Sequence, residues 1–203
     1  MDLPRLEAEL KKRWQYPYTW GRKQSDAWDK KTNFIYRTYR FETLLKVIAP
    51  FDEALKNYAL NRWYNFWSAK AVEHIFSSHH QVTPNKNVYD KLVDFTIGNI
   101  PFDHKTSVFP KTFGKSLVYA KQHKEELIKW LYENQSQQGR KHLKNRLFVV
   151  LFDKTGAHWK MKAEINSLKI GIDSYVNNFN IGKLNRLNFG EDEIFADIIW
   201  IEK

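Results

Sequence analysis

Cysteine is absent from this chain of 203 residues. Disulfides and thiolate metal sites of the zinc-finger kind are therefore excluded. No run approaches the roughly eighteen consecutive apolar residues of a membrane-spanning helix. The opening residues, Met1 to Arg5, lack the basic-then-apolar order of a secretion signal. These absences fit a reducing, cytoplasmic setting with no membrane partner. Also missing are internal repeats, low-complexity linkers, a Gly-rich nucleotide loop, a zinc-protease helix motif and a serine-hydrolase elbow. One domain is the simplest parse.

What is present is enough to build a core. Hydrophobic residues make up 42% of the chain and aromatics 16%, which argues against disorder. The net charge of +10 and the pI near 9.6 favour contact with phosphates. On charge alone, nucleic acid, an anionic membrane and an acidic protein all remain open.

The apolar periodicity gives an order of elements. Residues 3–13 form an amphipathic helix. Residues 14–32 interleave Trp14, Tyr16, Tyr18, Trp20 and Trp28 with Arg22, Lys23, Lys30 and Lys31 around Pro17 and Gly21. These rings either seal the core under an N-terminal arm or stack on bases. A helix is expected over 33–49, ended by Pro50. A second, capped by Asp52, runs to about Phe76 with Leu55, Phe66, Ala69, Val72 and Phe76 on its apolar face. Glu73, one helical step from Ala69 and Phe76, points toward that face. His79 and His80 lack a spaced partner and read as surface histidines.

Residues 88–97 are rich in β-formers, Gly98-Asn99 is a Gly-first hairpin turn, and residues 100–108 return as a second strand. A helix follows over about 115–134. The wholly apolar run 147–152 suggests a strand buried on both faces. Another helix spans Leu168 to Phe179, and a last strand spans 194–201. Helix, hairpin, helix, strand, helix and strand make an α/β sandwich with a mixed sheet flanked by helices.

The hairpin carries the chemistry. With its turn at Gly98-Asn99, Ile97 faces Ile100, Phe95 faces Phe102 and Asp94 faces Asp103. Directly opposed side chains on one face have Cβ atoms roughly 4.5–5.5 Å apart. Two carboxylates that close repel each other, and a hard cation removes the repulsion, since Mg²⁺ needs only one or two carboxylates beside water and substrate phosphate. Lys105 leaves the same face as Asp103, where it can orient a water and offset charge on a phosphorus under attack. Glu73 is a further acid for the same metal. The bland alternative is that the acids are solvated, or that one pairs with Lys105. A one-residue slip would send Asp94 and Asp103 to opposite faces.

Val93-Asp94-Phe95, followed by Asp103-His104-Lys105-Thr106-Ser107, resembles the PD-(D/E)XK nuclease signature of restriction endonucleases, Holliday-junction resolvases and many repair exonucleases. Val93 stands where the signature has proline. The resemblance covers about residues 53–152. It implies a restriction-endonuclease-like core of helix, three-stranded meander, helix and strand. Residues 1–52 would then be an extra N-terminal helical arm, and 153–203 a C-terminal helix and strand. It also implies Mg²⁺-dependent hydrolysis of a phosphodiester, with Mn²⁺ as a substitute and DNA as substrate. Asp94, Asp103 and Glu73 would be the metal ligands, and Lys105 would orient the attacking water and balance transition-state charge.

Thr106, Ser107, Lys111 and Lys115 are candidate phosphate contacts, as are Arg140, Lys141 and Lys144 in the densest basic segment, which also holds His142 and Arg146. Cutting both strands of a duplex needs two sites, so a homodimer is expected if the enzyme resembles a restriction endonuclease. A structure-specific repair, recombination or phage DNA-processing nuclease is the neighbouring reading. A non-catalytic nucleic-acid-binding protein is the third.

Overall fold

A computed structural model of the chain describes residues 1–19, 26–87, 90, 92–134, 144–189 and 192–203. Helix α1 (Leu3–Lys12) begins at Asp2, whose carboxylate accepts from the Arg5 amide, and it buries Leu6 and Leu10. A short helix α2 (Asp26–Lys31) follows. Over 33–49, where the periodicity predicts one helix, the chain makes a 3₁₀ turn (Asn33–Tyr36) and then a separate helix α3 (Phe41–Ile48). Tertiary contacts explain the break. The Thr38 carbonyl accepts the indole N–H groups of Trp63 and Trp67 at 2.6 and 3.1 Å, and the Thr38 hydroxyl donates to the Phe34 carbonyl.

Helix α4 (Glu53–Ser77) starts as expected at Asp52, which accepts from the Leu55 amide at 2.8 Å. Its buried stripe runs through Tyr64, Ser68, Ala71, Val72, Ile75 and Phe76. Ala69, expected on this face, is exposed, and Glu73 is half-exposed on the flank.

The sheet has six strands: β1 (Val82–Pro84), β2 (Phe95–Ile97), β3 (Ile100–Val108), β4 (Arg146–Phe152), β5 (Asn185–Phe189) and β6 (Asp192–Glu202). Their order is β1-β2-β3-β4-β6-β5. The first three form an antiparallel meander, β4 lies parallel to β3 and β6 parallel to β4, and β5 closes the far edge antiparallel to β6. The molecule is thus α/β, with a mixed sheet flanked by helices. The two edge strands lacked a signal in the periodicity: β1 is three residues ending in proline, and β5 buries only Leu187. Both suit sheet edges, where short or polar strands are tolerated.

The helix predicted over 115–134 is two, α5 (Leu117–Gln122) and α6 (Lys124–Asn134). They part at His123, whose ring stacks on Tyr119 with centroids 4.0 Å apart. The new start lets Lys124 reach the buried Asp197 of β6 at 2.5 Å. Helix α7 (Ile165–Asn177) lies between β4 and β6 in sequence, after a 3₁₀ turn at His158–Ala163.

Leu147 to Leu151 are buried on both faces, as their composition predicts. Leu147, Val149 and Leu151 enter a core with α1, α4 and α7. Phe148 and Val150 enter a smaller one under α6. The N-terminal rings serve the larger core. Tyr18 stacks on Trp159 at 4.4 Å, Tyr16 meets Phe41 edge-on, and the Trp14 indole donates to the Tyr64 hydroxyl. Trp20, Arg22 and Lys23 lie outside the described residues. Among the described residues no helix is long and apolar enough to cross a membrane.

Phe76 couples α4 to the hairpin by stacking on Phe95 at 4.5 Å, and both rings are fully buried. Phe76→Ala is expected to lower the unfolding free energy by about 3–5 kcal/mol, through lost burial and the cavity left behind. A denaturant titration reads this directly, and an unchanged midpoint would contradict the packing described.

Candidate active site

The hairpin register matches the expectation: Phe95 pairs with Phe102, Thr96 with Pro101 and Ile97 with Ile100. The turn differs in kind. Gly98 and Asn99 both have positive φ, 56° and 66°, which is a type I′ turn in place of a Gly-first one. Glycine and asparagine are the residues that best tolerate this conformation.

Beyond Phe95 the two strands part. β2 is only three residues long, whereas β3 continues to Val108 alongside β4. Asp94 sits at this fork. Its amide donates to the Phe102 carbonyl at 2.8 Å, and its Oδ2 accepts from the His104 amide at 2.8 Å. The same oxygen lies 2.6 Å from His104 Nδ1. Asp94 therefore caps the edge of β3 that β2 leaves open. The His104 ring is held in turn, 6.0 Å from both Phe76 and Phe95.

Asp103 is in register with Arg146 of β4, and its Oδ2 accepts from Arg146 Nε at 2.6 Å. The guanidinium lies over Tyr132 and Phe148, at 5.2 and 5.8 Å from the ring centroids. By sequence Arg146 belongs to the densest basic segment, expected either to contact phosphate or to stay in water. The parallel β3–β4 register that brings it to Asp103 has no local signature.

The Asp94 and Asp103 carboxyls are close enough to act on each other. Burial pushes Asp94 up, but the His104 ring and amide outweigh it and hold the group below the usual carboxylate range. At Asp103 burial dominates. Arg146 opposes it, the Asp94 charge adds to it, and the net shift is upward. Lys105 is exposed, and its charge acts on Asp103. Asp94, Asp103 and Lys105 thus come together, with His104 and Arg146 as supports that the sequence reading did not foresee.

The other expected residues are dispersed. Glu73 accepts from Lys70 at 2.6 Å and is not brought to the aspartates. The reason is the rotation of the buried stripe of α4, which leaves Ala69 and its neighbour one turn on, Glu73, on the flank. Among the described residues no three His, Asp or Glu side chains are grouped to hold a metal, so the expected trio of Asp94, Asp103 and Glu73 is not preformed. Among the described residues the Thr106 hydroxyl has no partner, and its burial keeps it from the phosphate contact expected of it. Ser107 donates to the Val108 carbonyl, which leaves its oxygen free to accept. Lys111 and Lys115 are exposed after β3, Lys115 with its ammonium 5.2 Å from the Tyr119 centroid. Lys144 is exposed, while Arg140, Lys141 and His142 lie outside the described residues. His79, expected at the open surface, meets Asp173 of α7 at 3.0 Å.

No protein-family model, no curated protein and no solved structure matches the chain.

The opposite shifts of the two aspartates make a testable asymmetry. The depressed value of Asp94 adds stability above the ordinary carboxylate pKa of about 3.9, lost as pH falls through its lower folded value. The raised value of Asp103 means that its charge costs stability above its folded pKa, a cost that vanishes as pH falls below about 3.9. At pH about 7, Asp94→Asn should therefore destabilise by about 1 kcal/mol as charged hydrogen bonds to His104 weaken. Asp103→Asn should leave thermal stability unchanged or raise it. The reverse ranking in thermal unfolding would contradict the assignment.

Proposed function

We propose that this chain is a divalent-metal-dependent nuclease of the PD-(D/E)XK kind, acting on DNA. The observation that carries the reading is the Asp94–Asp103 pair. Two carboxyls lie at the fork of β2 and β3, burial with the charge of Asp94 behind it holds Asp103 above the usual carboxylate range, and the charge of Lys105 acts on the same group. The order of elements supports the same reading: α4, the meander β1–β3, the α5–α6 crossover, and β4 parallel to β3.

The donor set suits a hard cation. His104 engages Oδ2 of Asp94 and Arg146 engages Oδ2 of Asp103, neither of them Oδ1. Two carboxylate oxygens, with water and substrate phosphate completing the shell, are a usual complement for Mg²⁺ or Mn²⁺. Asp94 and Asp103 would hold it, and Glu73 would join only if its ion pair with Lys70 opened. A bound divalent cation supplies Lewis acidity toward the phosphoryl oxygen and lowers the pKa of a coordinated water.

The chain's own groups do the rest. His104 fixes Asp94 through ring and amide, and Arg146 fixes Asp103. Lys105, on the face of Asp103, orients the attacking water and offsets charge building on the phosphorus. Ser107, Lys111, Lys115, Arg140, Lys141 and Lys144 are proposed contacts to the substrate backbone. DNA rests on the family resemblance, and a homodimer would let two such centres cut both strands of a duplex. A single centre would nick or cut single strands, as a repair, recombination or phage DNA-processing nuclease does. A second reading, nucleic-acid binding without hydrolysis, draws on the engagement of both Oδ2 atoms and of Glu73 by protein partners.

Incubation of supercoiled plasmid and single-stranded DNA with Mg²⁺ or Mn²⁺ separates these readings. Wild type should cut, Asp103→Ala should not, and Lys105→Ala should be slower by about 10²–10³-fold, the range for loss of one transition-state donor. Salt-dependent binding by both wild type and Asp103→Ala, with no cutting under either metal, would replace the nuclease with the binding protein.

A further inference from the structure

The 3₁₀ turn Asn33–Tyr36 is fixed by α4, on which it packs. The Trp67 indole donates to the Ile35 carbonyl at 3.2 Å, and the Thr38 carbonyl takes the indole N–H groups of both Trp63 and Trp67. Arg62 of the same helix donates through Nη1 to the Asp29 carbonyl at 2.8 Å and to the Thr32 hydroxyl at 2.5 Å, and through Nη2 to the Tyr36 hydroxyl at 2.6 Å. Phe66 meets the Tyr36 ring edge-on, with centroids 4.8 Å apart. The ring is therefore held in place, yet Tyr36 remains 44% exposed. Trp14, Tyr16 and Tyr18, by contrast, pack on the larger core.

Beside the ring is a surface hollow of about 660 Å³, lined by Asn33, Phe34, Tyr36, Arg37 and Thr38. Among the described residues neither the Asn33 amide nor the Arg37 guanidinium has a side-chain hydrogen bond or ion pair, and both residues are exposed. The surroundings are cationic. Helix α2, which packs on this turn, ends in Lys30 and Lys31, both exposed, and Arg40 is exposed just beyond it. The acid nearest in sequence, Asp29, is taken up by Tyr58 and Arg62. A fixed, exposed ring loses little freedom when a second ring stacks on it, and every nucleobase offers a π-face for stacking. Free cations around the ring answer the phosphates that join such bases. An apolar protein segment would leave those cations unanswered, and an intact duplex keeps the faces of its bases inside the stack.

We propose that this hollow is a stacking subsite for an unpaired nucleobase of single-stranded nucleic acid, with the base on Tyr36 and the adjoining phosphate on Arg37. Arg62 is the positioning residue that holds the ring. The inference rests on the nucleic-acid side of the nuclease reading and not on hydrolysis. It gives the N-terminal arm, which the family resemblance does not cover, a part in choosing strands with unpaired bases over intact duplex. Phe66, which meets Tyr36, and Phe76, which meets the hairpin, are ten residues apart on α4, or about 15 Å along its axis. The subsite therefore takes a base away from the bond to be cut.

The test is anisotropy titration of three labelled probes with Ca²⁺ in place of Mg²⁺: an oligothymidylate of about 12 nucleotides, an abasic strand of the same length, and a duplex. Wild type should bind the oligothymidylate more tightly than the abasic strand. Tyr36→Leu should weaken oligothymidylate binding by about 5- to 150-fold, the loss expected for one stacked base, and should leave duplex binding unchanged. Tyr36→Phe keeps the ring and should bind close to wild type. Both variants lose the bond to Arg62, so urea unfolding should place them near each other, and their difference in binding then belongs to the ring. Arg37→Gln should make the plot of log affinity against log salt shallower by about 0.7, the value for one phosphate of a single strand. Equal oligothymidylate binding by wild type and Tyr36→Leu would overturn the subsite. Equal weakening in both Tyr36 variants, in step with lost stability, would also overturn it, as the pattern of a structural tyrosine. So would wild-type binding to the abasic strand as tight as to oligothymidylate, which would reduce the patch to phosphate attraction. Mg²⁺-dependent cutting by the same wild-type protein, lost in Asp103→Ala, keeps the nuclease reading standing in any of those events. Loss of single-strand affinity in Tyr36→Leu but not in Tyr36→Phe, without any cutting, would retain the subsite and remove the hydrolysis. Wild type with no affinity for nucleic acid would remove both.

Discussion

At Phe95 the antiparallel neighbour of β3 ends, and the His104 amide is left facing an open edge. The group that meets it is the Asp94 carboxylate, and the next residue back along β3 is another acid, Asp103. Two like charges are thus forced together where the sheet divides. Such contact is destabilising unless something compensates it, and each acid has its own compensation. His104, wedged beside Phe76 and Phe95, serves Asp94. Arg146, laid over Tyr132 and Phe148, serves Asp103. Each support is itself held by a different core, one beneath α4 and one beneath α6. The two cores on either side of the sheet therefore converge on the same pair of carboxyls.

The parallel placement of β4 is what makes this possible. A strand buried on both faces can present Phe148 to one core and Leu147 to the other while its first residue, Arg146, remains at the rim beside Asp103. The edge strands β1 and β5 keep the sheet from ending on long exposed backbones. The N-terminal rings close over α4 and the 3₁₀ turn at His158–Ala163, through Trp14 and Tyr18 against Tyr64 and Trp159.

The local parts of this arrangement were readable from residue order alone. Hairpin register follows from a two-residue turn and alternating side chains, and it holds from Ile97–Ile100 to Phe95–Phe102; the expected next pair, Asp94 with Asp103, falls where the strands have already parted. The cap at Asp52 and the doubly buried run 147–152 were equally plain, because each depends on neighbours in sequence. What was not readable depends on residues far apart. The breaks at Thr38 and His123 answer to Trp63, Trp67 and Asp197. The exposure of Ala69 and Glu73 reflects which stripe of α4 the sheet and α7 select, and several apolar residues on that helix were equally eligible. Arg146 reaches Asp103 only through parallel pairing, and Lys162 reaches Asn65 across 97 residues. Neither contact has a motif.

The central claim is that Asp94 and Asp103 together make a divalent-cation site. Calorimetric titration of Mn²⁺ into wild type, Asp94→Asn and Asp103→Asn tests it most directly, in two buffers of different ionisation enthalpy at mildly acid pH. Saturable binding by wild type, of the same strength in both buffers once the buffer heat is subtracted, and loss of that binding in both variants is the predicted result. Failure of wild type to bind, or binding of equal strength in all three proteins, would contradict it.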